Sequence, residues 1–476
     1  MPEAPATFPT TLARVDGTIK VGVLGCGNVG SALIALIERD ADGIAARTGV
    51  RLEVARVAVR STARERAVPI DPGLLTHDAA SVVADPGVDV VVEVIGGIEP
   101  ARTLILDALK AGKPVITANK ELIANVGQEL FEAASTAGVD LLFEAAVGGG
   151  IPLIRPLRES LAGERIRRVT GIVNGTTNYI LTRMSEEGAT YADALAEAQQ
   201  LGYAERDPTA DVEGYDAGAK AAILASIAFG ARVVAGDVYR EGISGITAAD
   251  IAYAARLGYV VKLLVVAERI HGDQAGLDRA GEDRAGQDRA GVDRVSGVAG
   301  PPEIAVRVHP AMVARTHPLA AVRDSFNAVF VEGEAVGELM LYGRGAGGMP
   351  TASAVLGDLI DASHNLRAGG FGRSPHPGPV RLRPIDDLRS AYYLELEVVD
   401  RPGVLEKVAG VLGRHRVSIQ SMEQDELASA AAGSHARLVF ITHTAVEREV
   451  QACITELRAL DVVEKVGTLL RVLGPS

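Results

Sequence analysis

The chain has 476 residues, a length typical of about three domains. Hydrophobic residues make up 47% and charged residues 23%, which excludes a chain that is mostly disordered. The net charge of −13 makes nucleic acids and anionic membranes poor partners, and two cysteines exclude a disulfide framework or a cysteine-based zinc site.

The sequence carries no signal for targeting or membrane insertion. Met1–Gly17 has neither a basic region nor an apolar run, so it does not resemble a signal peptide. The most apolar stretch, Ile251–Ile270, contains Arg256, Lys262 and Glu268, and we reject it as a transmembrane helix. We therefore expect a cytoplasmic protein that does not bind a membrane.

The first predicted elements form a dinucleotide-binding motif. Ile19–Leu24 is a short apolar strand, and Ser31–Arg39 has apolar residues at helical spacing. The glycine fingerprint GxGxxG lies between them, in the context that pyrophosphate binding requires. Its expected cofactor contacts are Gly25, Gly27, Asn28, Val29 and Gly30.

The end of the next strand bears on the choice of cofactor. This predicted strand, Leu52–Val59, is followed by Arg60, and an arginine there suits the 2′-phosphate of NADP better than the ribose of NAD. NAD stays possible, because Arg60 is equally compatible with a solvated surface position. We expect Asp40–Val50, which lengthens this unit, to be an extended helix end or a loop.

Strands and helices then alternate, which predicts a doubly wound parallel sheet. The predicted strands are Val88–Ile95, Pro114–Ala118 and Val139–Phe143, and the predicted helices are Glu99–Ala111 and Lys120–Ala137. Three segments follow these strands: Ile95-Gly96-Gly97, Thr117–Lys120 and Glu144–Gly150. Because ligands bind at the carboxyl ends of such strands, we expect the three segments to converge on one cleft.

Two polar segments are candidates for chemistry. Asn174–Asn178 follows a predicted strand, Arg167–Val173, and suits either a helix cap or a functional turn. Asp216 and Lys220 are four residues apart on an apolar, hence buried, helix. Burial lowers a lysine pKa and a neighbouring carboxylate raises it, so the pair suits proton transfer in carbonyl–alcohol interconversion. A surface ion pair is the alternative.

Two further segments interrupt the globular pattern. The segment 271–300 contains a five-residue repeat, one variable residue followed by Asp-Arg-Ala-Gly, with nothing to bury, and we expect a disordered loop. The segment 368–390 is rich in Gly, Pro and Arg and is typical of an interdomain linker.

The C-terminal part has the βαββαβ order of a ferredoxin-like domain. The predicted strands are Tyr392–Val399, Val417–Gln424, Arg437–His443 and Val463–Val472, and the predicted helices are Val404–His415 and Val446–Ala459. This order, with the turn Asp400–Gly403, resembles the ACT domain, a small amino-acid sensor. A structural domain without a ligand is the alternative.

Together these motifs resemble the homoserine dehydrogenase family, whose members reduce aspartate 4-semialdehyde to homoserine with NAD(P)H. The resemblance covers residues 19–367. It rests on the glycine fingerprint, Thr117–Lys120, Glu144–Pro152, Asn174–Asn178, the long signature Ala198–Lys220 and the glycine-rich Gly343–Ser353.

The resemblance implies roles for individual residues. Lys220 would be the acid–base catalyst, with Lys120 as a second active-site lysine and Asp216 beside them. Substrate binding would fall to Glu205, Asp216, Gly202, Tyr203 and Thr176. Further cofactor contacts would be Ile95, Gly96, Lys120 and either Gly345 or Gly347. Carbonyl groups would hold a sodium ion at Glu144, Val147, Gly149 and Ile151.

The expected domains are a Rossmann-type cofactor domain (18–146, completed by 345–367), an α+β catalytic and dimerisation domain (147–344), the linker, and an ACT domain (391–476). The resemblance also implies a homodimer or homotetramer inhibited by an amino acid, with threonine as the expected effector. Two alternatives stay open: a non-catalytic amino-acid-sensing regulator, and another NAD(P)-dependent dehydrogenase.

Overall fold

The computed structural model describes residues 17–61, 68–270, 303–372, 378–427 and 435–474. The repeat segment 271–300 lies outside the described residues. Among the helices of the described ranges, none is long and apolar enough to cross a membrane.

The N-terminal unit is a parallel six-stranded sheet with helices on both faces. Its elements are β1 (Thr18–Leu24), α1 (Asn28–Arg39), α2 (Ala41–Thr48), β2 (Arg51–Ala58), β3 (Leu75–Thr76), α3 (Ala79–Ala84), β4 (Val90–Glu93), α4 (Ala101–Lys110), β5 (Val115–Thr117), α5 (Lys120–Ala137) and β6 (Leu141–Leu142). The strand order β3-β2-β1-β4-β5-β6 is that of a Rossmann fold, as predicted. The segment 40–50 contains the separate helix α2, which ends at Gly49 in a left-handed conformation (φ 70°), so neither a loop nor an extension of α1 is correct.

The middle unit is a mixed sheet covered by helices. Its elements are β7 (Ile166–Ile172), α6 (Gly175–Glu187), α7 (Tyr191–Gln200), α8 (Thr209–Val212), α9 (Tyr215–Phe229), β8 (Tyr239–Arg240), α10 (Ala248–Arg256), β9 (Tyr259–Ile270), β10 (Glu303–Ala314), β11 (Phe326–Gly333) and β12 (Glu338–Arg344). The order β12-β11-β7-β9-β10 is antiparallel throughout. Ten of the fifteen residues of α9 are buried, as its apolar composition predicts.

The chain then returns to the first unit through α11 (Gly348–Ala368). Ala352, Val355 and Leu359 share one core with Leu33 and Ile34 of α1. The helix that follows the middle unit therefore completes the core of the cofactor domain.

The C-terminal unit has the predicted βαββαβ order. Its elements are β13 (Arg381–Leu382), β14 (Arg389–Val399), α12 (Val404–Arg414), β15 (Ile419–Leu427), β16 (His435–Thr442), β17 (Ala445–Val446), α13 (Glu447–Arg458) and β18 (Val463–Leu473). The sheet order β18-β14-β16-β15 is ferredoxin-like. The expected linker is partly structured, because β13 pairs with β10 and β14 begins at Arg389.

The C-terminal sheet continues the sheet of the middle unit. β18 pairs in parallel with β10, and Arg471 stands opposite Ala311. Backbone hydrogen bonds of two neighbouring strands therefore join the C-terminal unit to the middle unit, in addition to the segment 368–390.

Candidate active site

The glycine fingerprint forms an open cradle at the start of α1. Gly25 has a φ of +103°, and a Cβ there would lie 2.7 Å from the carbonyl oxygen of Val94. A Cβ at Gly30 would overlap the carbonyl oxygen of Gly25, whereas nothing lies within 4 Å of a Cβ at Gly27. No side chain caps the helix, and its first turn has no acidic residue. The free N–H groups and the helix dipole therefore suit a pyrophosphate.

Glu93, which sequence reasoning missed, orders the neighbouring loop. This buried carboxylate at the end of β4 accepts hydrogen bonds from the backbone N–H of Ile95 (2.7 Å) and Gly96 (3.2 Å) and from the hydroxyl of Thr117 (2.6 Å). It thus ties β4 to β5 at the edge where the cofactor residues converge. The sequence contains one signal for this role, a carboxylate within an otherwise apolar strand. A charged group is rarely buried at such a position unless polar groups pair with it.

Asn119 positions Lys120 at the same edge. Its side-chain oxygen caps α5 by accepting the N–H of Leu122 (3.1 Å), and its amide donates to the carbonyl of Gly97 (2.6 Å). Lys120 is the first residue of the helix, so the cap fixes the point from which its side chain extends.

Lys220, Asp216 and Lys120 meet in one cluster. Asp216 bridges the two lysines: its Oδ2 lies 2.7 Å from Nζ of Lys220 and its Oδ1 lies 2.7 Å from Nζ of Lys120. Lys220 also donates to the carbonyl oxygen of Val173 (2.7 Å). The side chains of Lys220 and Asp216 are 11% and 8% exposed, whereas that of Lys120 is 44% exposed.

This difference in exposure separates the two lysines electrostatically. Burial lowers the pKa of Lys220, and Asp216 only partly opposes that effect. Burial also acts on Lys120, but the adjacent Asp216 outweighs it and raises the pKa of that lysine. Burial alone would raise the pKa of Asp216; the two ammonium groups reverse this and hold it well below its usual range. Lys220 is therefore the group suited to exchange a proton, and Lys120 stays charged.

Asn174 serves as both a helix cap and a site residue. Its Oδ1 accepts the N–H of Thr177 (2.8 Å) and so caps α6. Its Nδ2 donates to Asp216 (2.8 Å) and to Asp211 (2.7 Å). The sequence placed it in a polar segment without assigning it a site role. Only tertiary contact with α8 and α9 reveals that role.

Of the other expected substrate residues, Thr176 is buried, whereas Gly202, Tyr203 and Glu205 are exposed. The hydroxyl group of Thr176 donates a hydrogen bond to the carbonyl oxygen of Tyr203 (2.6 Å). This bond joins α6 to the turn that also contains Gly202. Tyr203 is 42% exposed and Glu205 is exposed as well. No ion pair involves Glu205 among the described residues.

The glycine-rich segment at the start of α11 packs against the fingerprint and against the loop 144–151. A Cβ at Gly348 would lie 3.0 Å from the carbonyl oxygen of Asn28, so this segment contacts the fingerprint. A Cβ at Gly149 would overlap the carbonyl of Gly345, and Gly347 (φ 126°) precedes α11. Arg60 is exposed just beyond β2.

The loop 144–151 offers carbonyl oxygens rather than side chains to a cation. The carboxylate of Glu144 is occupied by three backbone N–H groups, at Leu153, Ile154 (2.8 Å) and Arg155 (2.7 Å). Val147, Gly149 and Ile151 of the same loop are buried residues. Backbone carbonyl oxygens are ligands that suit a hard cation such as sodium. No cluster of three acidic, His or Cys side chains suits a metal within the described ranges.

A dinucleotide cradle and a buried lysine in contact with a carboxylate are together typical of a nicotinamide-dependent dehydrogenase. Comparison with known proteins agrees. Residues 25–144 match the NAD-binding domain of homoserine dehydrogenase, residues 152–360 match homoserine dehydrogenase, and residues 392–462 match the ACT domain. The chain belongs to the homoserine dehydrogenase family, and its activity as a homoserine dehydrogenase is well supported.

Individual relatives extend over nearly the whole chain. Homoserine dehydrogenase of Mycobacterium tuberculosis is 48% identical over 96% of this chain and 98% of its own length. The crystal structure of homoserine dehydrogenase from Thiobacillus denitrificans is 39% identical, with a TM-score of 0.83 over 96% of this chain and 98% of that one. A hyperthermophilic archaeal homoserine dehydrogenase in complex with NADPH is 28% identical, with a TM-score of 0.56 over 73% of this chain and 98% of that one.

Proposed function

We propose that the chain interconverts homoserine and aspartate 4-semialdehyde with Lys220 as the proton carrier. The observation that carries this assignment is the buried contact of Lys220 with Asp216, which leaves a lysine of lowered pKa beside a fixed carboxylate. In the oxidation direction, neutral Lys220 takes the hydroxyl proton of homoserine. In the reverse direction, charged Lys220 returns a proton to the developing alkoxide.

Other residues bind and orient. The nicotinamide, when bound, supplies the hydride acceptor or donor. Asp216 orients Lys220 and stabilises its ammonium form, and it also binds substrate. Lys120 adds a permanent positive charge that stabilises negative charge on the reacting oxygen and contacts the cofactor. Glu205, Gly202, Tyr203 and Thr176 line the substrate pocket, with the Glu205 carboxylate facing the ammonium group of homoserine.

The test of this function is direct. Purified full-length protein should produce an absorbance increase at the NADPH band when homoserine and NADP⁺ are supplied. An increase with primary alcohols that lack the amino group, and none with homoserine, would instead favour another dehydrogenase.

We also propose that NADP is preferred over NAD. Gly25, Gly27, Asn28, Val29 and Gly30 would hold the pyrophosphate, and the exposed Arg60 beyond β2 would pair with the 2′-phosphate. The archaeal relative in complex with NADPH supports this choice. In R60A, kcat/KM for NADP⁺ should fall at least about tenfold while that for NAD⁺ changes little. Equal losses for both cofactors would contradict the assignment.

For the remainder of the cleft we propose two more ligand contacts. Ile95, Gly96 and either Gly345 or Gly347 would line the nicotinamide end. A sodium ion would bind the carbonyl groups of Glu144, Val147, Gly149 and Ile151, where it would fix the loop between the two units. Replacing sodium with a large organic cation at constant ionic strength should then lower the midpoint of thermal unfolding, and sodium should restore it.

We propose that the C-terminal unit, from Arg389 onward, is an ACT domain that inhibits the enzyme when it binds threonine. In support of this proposal, Gly403 (φ 88°) precedes α12 and no side chain caps the helix. The backbone N–H groups at the start of α12 can therefore bind a carboxylate. Threonine should lower the activity of the full chain, whereas the same concentration of alanine should not. Equal sensitivity to both would refute a specific effector.

We propose finally that the chain forms a homodimer or homotetramer. The outer strand β12 exposes Met340 and Tyr342, which are 36% and 54% exposed. Exposed apolar side chains on a sheet suit a second copy. Light scattering at micromolar concentration gives the mass, and a monomeric mass would contradict the proposal.

A further inference from the structure

The C-terminal unit reaches the middle unit through a buried arginine on its last strand. Arg471 is 3% exposed. Its Nη1 donates to both carboxylate oxygens of Glu241, at 2.9 and 3.0 Å, and its Nε donates to Glu447 of α13 at 3.0 Å. Glu447 also accepts the hydroxyl of Tyr392 (2.8 Å). One guanidinium group therefore ties two units together through two carboxylates.

The backbone beside Glu241 is in contact with the segment 211–218, which carries Asp216. The N–H of Ile243 donates to the carbonyl of Val212 (2.8 Å). At Gly242, a Cβ would overlap that same carbonyl and lie 2.7 Å from Cα of Glu213. Residues 241–243 thus lie directly against the turn that joins α8 to α9, and even a methyl group would separate them.

A second contact fixes the same turn from the other side. The guanidinium carbon of Arg240 lies 4.7 Å from the ring centre of Tyr215, at the start of α9. A Cβ at Gly218 would lie 2.8 Å from Cδ of Arg240. Asp216 is between these two contacts on α9, so strand β8 and the residues after it support the helix turn that presents Asp216 to Lys220.

We propose that Arg471 of the C-terminal unit is a positioning residue of the active site: by pairing with Glu241, it holds residues 239–243 against the segment 211–218 and thereby fixes Asp216 beside Lys220. The inference rests on the proposed function, since it concerns the geometry of that reaction.

The decisive variant is Glu241→Gln in the full chain. It removes the charge that Arg471 binds and keeps the pair of Arg471 with Glu447, and we expect the variant to fold because Glu241 is 31% exposed and a glutamine can still accept the hydroxyl of Tyr239. The matched control is Glu268→Gln. Glu268 pairs with the equally buried Arg307 in the same sheet (2.6 Å), yet it faces Arg168 of β7 rather than the 211–218 segment.

Two measurements are made on wild type and both variants. The first is hydrogen exchange at the amides of 211–218, followed by mass spectrometry. We expect at least about tenfold faster exchange in E241Q, and wild-type exchange in E268Q. The second is kcat for homoserine oxidation against pH. Lys220 faces Asp216 on its own helix, Lys120 on α5 and Asp211 on α8. A displaced Asp216 should lower kcat and move the lysine limb of the profile to lower pH.

The outcomes separate the two proposals. Unchanged exchange at 211–218 in E241Q overturns the positioning role. Faster exchange with a wild-type kcat and pH profile also overturns it, because Glu241 would then hold the segment 211–218 without fixing the position of Asp216. A wild-type chain that does not oxidise homoserine overturns the proposed reaction, and the exchange measurement still decides whether Arg471 and Glu241 hold the segment.

Discussion

Replacement of Asp216 by Asn tests the electrostatic arrangement of the site most directly. The substitution keeps the shape of the side chain and removes one negative charge that lies 2.7 Å from each of two ammonium groups. At an effective dielectric constant of about 20, unit charges at that distance interact by about 6 kcal/mol, which is an upper limit. Opposite charges in contact shift a pKa by about 1–3 units in practice, or about 1.4–4 kcal/mol.

The direction of the change follows from what Lys220 must do. Oxidation of homoserine requires neutral Lys220, so kcat/KM rises with pH through the pKa of this lysine. In D216N the ammonium form loses its counter-charge, while burial and the repulsion from Lys120 persist. The rising limb should therefore move to lower pH by about 1–3 units. The plateau at high pH should fall, because a less basic amine accepts the proton less readily.

The assay is the NADPH absorbance in homoserine oxidation at saturating NADP⁺, over the pH range in which each variant stays folded. Asp211→Asn is the matched control: Asp211 also binds the amide of Asn174 (2.7 Å) but forms no ion pair with either lysine among the described residues. Titration of the homoserine amino group affects all variants alike. A limb that stays in place in D216N, or moves to higher pH, would refute the assignment of Lys220 as the proton carrier.

Three further substitutions follow from the same structure, and a fourth concerns folding. Lys220→Arg keeps the charge but cannot release a proton, so kcat should fall about 10²–10⁴-fold with the dissociation constant of NADP⁺ within about twofold of wild type; measurable turnover near the wild-type rate would be contrary evidence. Gly30→Ala should abolish cofactor binding in fluorescence titration without unfolding the chain, because its Cβ would overlap the backbone of the cradle. Glu93→Ala should raise KM for NADP⁺ and lower the free energy of unfolding by about 1–3 kcal/mol, since two backbone N–H groups lose their buried acceptor; a normal KM would show that the loop holds its shape without it. Burial lowers the pKa of Lys262 to about 8, below its value of 10.5 in the unfolded chain, so the folded chain loses stability as the pH falls from 10.5 to 8. Relative to K262M, the wild type should therefore gain about 3 kcal/mol of stability between pH 8 and 10.5, measured by urea unfolding.

Local patterns in the sequence predict the elements that carry the chemistry. The fingerprint follows a buried strand and begins a helix, and the i, i+4 spacing of Asp216 and Lys220 places them in contact on α9. Both depend only on neighbours in the chain, so periodicity suffices. Long apolar runs likewise predict the parallel sheet, since strands covered on both faces are apolar throughout.

What the sequence does not predict depends on contacts between distant segments. Glu93 and Asn174 appear as polar residues near element ends, and only the folded chain brings Thr117 to the first and Asp211 to the second. The sequence does not predict the pairing of β10 with β18 either. A strand edge has no local signature that specifies its partner, and the Gly- and Pro-rich composition of 368–390 suggests a flexible connection instead.

The scarcity of lysine gives the site a further physical meaning. Only eight of the 48 basic residues are lysine, and two of these eight share the carboxylate of Asp216. Arginine would serve wherever charge alone is needed, since it keeps its proton at every working pH. At position 220 the amine must lose and regain a proton, and burial tunes it for that purpose. At position 120 the contact with Asp216 outweighs the effect of burial and keeps the amine charged, and a compact ammonium places that charge at a single point beside the reacting oxygen. One carboxylate thus serves two lysines with opposite tasks, and the difference in their burial decides which of the two exchanges the proton.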